Sequence, residues 1–106
     1  MGDNDIYSNF IENAQMTISP DGFIYRMSIS FDNNKSGHIE ITNWQVPDGS
    51  MLFIFNDEKS YTGPYLSNSK KEFASGRFIS DKLTLEYFEP INAEYSGSFK
   101  IKGILP

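Results

Sequence analysis

A chain of 106 residues with 39% hydrophobic and 15% aromatic side chains carries enough large apolar surface for one core without cross-links. A single domain over residues 1–106 is therefore expected, and wholesale disorder is excluded. The absence of cysteine rules out disulfides, thiolate metal sites and a cysteine nucleophile, and the net charge of −5 argues against a nucleic-acid partner, which would need a basic face.

The charge is unevenly spread. Residues 1–58 hold nine acidic and two basic side chains, residues 59–106 five and seven. No run approaches the roughly 20 apolar residues of a membrane-spanning helix, so no membrane span is expected. The first ten residues, MGDNDIYSNF, lack the basic start and apolar stretch of a signal peptide, and residues 1–13 are read as a flexible lead-in. Nothing in the composition calls for more than a monomer.

In chain order, NAQMTISP is the first candidate strand. GFIYRMSISF follows as the clearest one, with Phe23, Tyr25, Met27, Ile29 and Phe31 at period two. It ends at DNNKSG (32–37), which reads as a hairpin turn returning into HIEITNW with Ile39 and Ile41 inward. Trp44 and Val46 then share the parity of His38 and Glu40, a slip of one residue that predicts a β-bulge at Asn43. VPDG (46–49) is a β-turn signal leading into MLFIF (51–55), an apolar run read as a central strand with Phe53 and Phe55 in the core.

Residues 56–71 are polar with Gly-Pro at their middle, and predict a long surface connection. EFASGRFIS and KLTLEYF are expected to pair, joined at Ser80 and Asp81, with a bend at Gly76. YSGSFKIKGIL closes the chain with Phe99 and Ile101 inward and Lys100 and Lys102 outward. No segment shows helical periodicity over three turns. The sum is an all-β protein, an antiparallel β-sandwich of jelly-roll type with seven to nine strands, its core including Met27, Ile29, Leu83 and Leu85.

No catalytic constellation stands out. Glu86 and Glu89 enclose two aromatics in LEYFEP, but residues three apart in a strand point to opposite faces, so the two carboxylates diverge. His38 is the one histidine, and no serine lies in a nucleophile motif to face it. A small hydrolase would have to gather carboxylates from separate strands. Asp32, Asp48, Asp57 and Glu58 fall at expected strand ends and are the candidate ligands for Ca2+, a hard cation that takes clustered oxygens from loops; their alternative is a solvated role, and no other cofactor is indicated. Tyr61, Tyr65 and Trp44 are candidate rings for stacking on a glycan; against this, Trp44 fits a core position and the tyrosines could pin the loop.

Taken in order, VPDGSMLFIFN, YTGPY and LTLEYFEP form a pattern. It resembles the non-catalytic, CUB-like jelly-roll domain that accompanies the trypsin-like domain in secreted bacterial proteases of the lysyl-endopeptidase type. The matching residues are Pro47 and Gly49 with the strand Met51 to Asn56, then Gly63, Tyr65 and Asn68, and finally the Glu86 to Pro90 strand end, with GSFKIKGI completing the likeness over about residues 23–104. The resemblance implies an exported, extracytoplasmic accessory or interaction module with a protein or glycan partner. Peptidase activity would belong to a separate trypsin-like domain, whose triad motif this chain lacks. CUB domains often bind calcium through acids from several loops, and no residue-by-residue match to such ligands is found.

Overall fold

The computed structural model describes residues 7–31, 36–58 and 60–104. Its elements in order are β1 (Ser8–Asn9), α1 (Phe10–Asn13), β2 (Gln15–Ser19), β3 (Gly22–Ser30), β4 (His38–Gln45), β5 (Met51–Phe55), β6 (Tyr61–Tyr65), β7 (Phe73–Ala74), β8 (Lys82–Pro90) and β9 (Ser98–Ile104). They build a four-stranded sheet, β1-β9-β4-β7, and a five-stranded sheet, β2-β3-β8-β5-β6, with every pairing antiparallel.

The pairings are nested. β1 lies beside β9, β3 beside β8, β4 beside β7 and β5 beside β6, so the chain is one long hairpin with β5–β6 at its tip, rolled so that successive rungs alternate between sheets. That winding is the jelly roll, and the expected all-β sandwich is the observed fold. β2 is an addition, hairpinned onto β3 through Pro20 and Asp21.

Period-two burial decides which side chains meet between the sheets. β8 alternates strictly, with Leu83, Leu85, Tyr87 and Glu89 inside. Opposite them, in the other sheet, β4 and β9 supply Ile39, Ile41, Phe99 and Ile101, while beside β8 in its own sheet β5 supplies Leu52 and Ile54. A ring cluster ties the sheets together: Phe10 stacks on Phe99 at 4.8 Å, Trp44 lies 4.8 Å from Phe99, and Tyr87 meets all three edge-on. Each such pair contributes about 0.5–1.5 kcal/mol beyond the area it buries.

The bulge at Asn43 is present. Its φ is +57°, a conformation Asn tolerates, and the β4–β9 register shifts between Thr42 and Gln45. The shift lets Trp44 and Val46 turn inward after Ile39 and Ile41. Gly49 (φ +91°) and the Ser50 N–H donating to Pro47 O form the expected turn into β5, and Gly76 adopts φ +82° at its bend.

Other expectations are corrected by non-local pairing. β3 and β4 form no hairpin; they lie in different sheets, and residues 32–35 of the expected turn are outside the described residues. β7 pairs with β4 rather than β8, and the long polar connection contains β6, held against β5. Residues 8–13 of the expected lead-in form β1 and α1 and bury Phe10 completely. Phe53 and Phe55 leave the core. β5 turns Leu52 and Ile54 inward, and its phenylalanines lie half-buried on the outer face.

Candidate functional site

That displacement creates the aromatic surface of the molecule. On the outer face of the five-stranded sheet, β5 pairs Met51 with Phe88, Phe53 with Glu86 and Phe55 with Thr84, while Phe55 faces Tyr61 across the β5–β6 pair. Phe53, Phe55, Tyr61 and Glu86 line an open depression of about 330 Å³. The Phe53 and Tyr61 rings lie 6.1 Å apart, inclined at 59°, and Tyr61 is 63% exposed. Glu86 forms an ion pair with Arg26 on β3, and Ser28 and Thr84 hydroxyls hydrogen-bond at 3.0 Å in the next row. The site therefore offers ring faces bordered by a carboxylate, a guanidinium and hydroxyls.

The three rings singled out in the sequence are not brought together. Trp44 is 3% exposed, its indole N–H donating to Leu66 O at 2.9 Å, so it has no free ring face. Tyr65 points to the opposite side of β6 from Tyr61, stacks on Phe73 at 4.6 Å and donates to Thr62 Oγ1. Tyr61 alone of the three is on the depression, and Phe53 and Phe55 are the partners missed. MLFIF has no polar parity to show which side meets solvent.

Glu86 and Glu89 diverge, as one strand through both requires. Glu89 turns inward to 6% exposure, where Oε1 accepts from the Gly97 amide (2.7 Å) and the Tyr87 hydroxyl (2.9 Å). Tyr87 has one phenolic proton, which goes to the carboxylate; Ser50 Oγ, 3.1 Å from the phenol oxygen, is then its donor. Burial is the main cause that pushes the Tyr87 phenol far above its usual 10.0; the Ser50 bond offsets part of this and Glu89 adds to it. Tyr25 is raised too, first by burial and then by the Glu89 charge. Gly97 is needed here because a Cβ would sit 2.3 Å from the Tyr87 hydroxyl and 2.9 Å from Glu89 Oε1. The cluster satisfies its own polar atoms and joins β8 to the start of β9.

A second, polar depression of about 430 Å³ lies on the four-stranded sheet, lined by Tyr7, Glu40, Thr42, Glu72 and their neighbours. Glu40 accepts from the Tyr7 hydroxyl at 2.9 Å and lies 3.6 Å from His38, and Glu72 is 3.4 Å from Thr42 Oγ1. Carboxylates from two segments thus line one depression. Glu72 is exposed and Glu40 half-buried.

The candidate calcium ligands are dispersed. Asp48 precedes β5 and accepts from Ser67 Oγ, whereas Asp57 and Glu58 follow β5, and that strand of five residues is roughly 15 Å long. Asp32 is outside the described residues. Among the described residues no three His, Asp or Glu side chains gather to hold a metal, and no helix is long and apolar enough to cross a membrane. Comparison of the chain with family models, curated proteins and solved structures finds no match in any of the three.

Proposed function

We propose that this chain is a non-catalytic accessory or interaction domain whose contact surface is the outer face of the five-stranded sheet around Phe53, Phe55 and Tyr61. One observation carries the reading: these rings stand half-buried or exposed around an open depression, although the core lies one residue away on either side of Phe53. Exposed aromatic clusters rimmed by polar groups mark contact surfaces. The likeness of the Met51–Asn56, Gly63–Tyr65 and Glu86–Pro90 segments to protease accessory domains supports an exported bacterial protein in which a trypsin-like domain accompanies this one.

A second reading is carbohydrate binding. It is favoured by Tyr61, whose ring face is open beside Phe53 while Arg26 and Glu86 supply donors and acceptors for sugar hydroxyls. In this reading Phe53 and Phe55 serve where Tyr65 was expected.

Retention of the domain on cellulose, chitin and xylan, and on an immobilised trypsin-like protease of the lysyl-endopeptidase type, separates the two. Binding to the protease alone supports the accessory reading, and binding to a polysaccharide alone supports the second. Retention on none of them counts against both.

A further inference from the structure

Sheet edges expose rows of unpaired N–H and C=O groups, and folded proteins ordinarily protect them with short strands, charges, prolines or bulges. Three of the four edges here are protected in that way. β1 and β7 have two residues each, and β6 carries Pro64 and a register shift against β5. β2 is different. Its five residues, Gln15-Met16-Thr17-Ile18-Ser19, pair with β3 in unbroken register and contain no charge, proline or bulge.

The side chains of β2 are also uncovered. Met16 is 48% and Ile18 67% exposed, although both lie on the inner face, opposite Tyr25 and Phe23. Counting back from Ser19–Gly22, the pair that closes the two-residue turn, alternation directs the backbone groups of Met16 and Ile18 away from β3. Among the described residues nothing pairs with this outer edge, a regular strand with outward-directed hydrogen-bonding groups and an apolar inner side.

The segment is complementary to itself. Placed antiparallel about a two-fold axis through Thr17, Met16 faces Ile18 of a second copy on the inner side, and Gln15 faces Ser19 on the outer. The backbone groups of Met16 and Ile18 then exchange hydrogen bonds across the axis. With no charge on β2, the chain's net −5 places no like charges in direct opposition.

We infer that β2 is a docking edge for a second copy of this chain, joining two five-stranded sheets into one of ten strands. The row Gln15–Arg26–Glu86–Phe53 crosses each sheet on its outer side, so the aromatic depressions of both copies open on one continuous face. Seven strand spacings separate β5 from its mate, roughly 34 Å. A repetitive partner could engage both.

The test is sedimentation equilibrium of the full chain over a concentration series, with Ile18→Lys, Thr17→Cys and Ser96→Cys. The average mass should climb from 12.1 kDa toward twice that value. Ile18→Lys should stay at the single-chain mass and, at the lowest concentration, where the wild type is also a single chain, should melt at the wild-type midpoint. Because the chain has no cysteine, Thr17→Cys introduces the only thiol, on the two-fold axis where Cα atoms approach to about 4.5 Å, and should form a disulfide-linked dimer. Exposed Ser96→Cys should not. A single-chain mass at every concentration, a dimer that survives Ile18→Lys, or equal cross-linking of the two cysteine variants would overturn the inference.

Discussion

Glu89 is a carboxylate at 6% exposure that accepts from two buried donors, so its removal has consequences beyond its own contacts. Glu89→Ala leaves the Gly97 amide without an acceptor and the Tyr87 hydroxyl with Ser50 Oγ alone, and should lower unfolding stability by about 2–3 kcal/mol in denaturant titration. Tyr87→Phe removes one donor and keeps the ring packing, so its cost should be smaller, about 1–2 kcal/mol. The phenol also sets a pH dependence. Its folded-state pKa lies above the unfolded 10.0, so the folded state holds the proton more tightly. This contribution is complete below pH 10 and is lost as pH rises beyond it. Stability should therefore fall above about pH 10, and more shallowly in Tyr87→Phe.

At the scale of elements, Asn43 is the clearest case of local sequence dictating backbone. Asn43→Gly should be tolerated to within about 0.5 kcal/mol, whereas Asn43→Val, β-branched at φ +57°, should cost about 1–3 kcal/mol by thermal melting. The bulge was legible because a parity slip between Ile41 and Trp44 leaves a trace in the residues themselves. So were β3, β8 and β9, each with an alternating run. Pairing was not legible in the same way. A jelly roll puts β3 beside β8 and β4 beside β9, strands separated by more than 50 residues, and no turn signal records such contacts. Nearest-neighbour hairpins were expected in their place, and β6 read as loop because Gly-Pro interrupts its five residues.

At the scale of the molecule, two sheets share one apolar interior, and the functional question is which outer face does the work. The four-stranded sheet presents polar side chains, with the Tyr7 hydroxyl donating to Glu40 and His38 beside it; the five-stranded sheet presents rings beside the Arg26–Glu86 ion pair. Tyr61 could be suspected as a binding residue from the sequence, but its partners could not, since only the β5–β8 register shows that Phe53 sits beside Glu86 and away from the core.

The most direct measurement is the dissociation constant, for whichever of the named polysaccharides or protease retains the domain, of the wild type, Phe53→Ala/Tyr61→Ala and Glu72→Ala. Removing two ring faces from the depression should weaken binding by roughly tenfold or more, while Glu72→Ala, on the opposite sheet, should bind as the wild type does. Binding that is unchanged by the ring substitutions, or that is lost with Glu72→Ala instead, would place the contact surface on the other sheet and contradict this account.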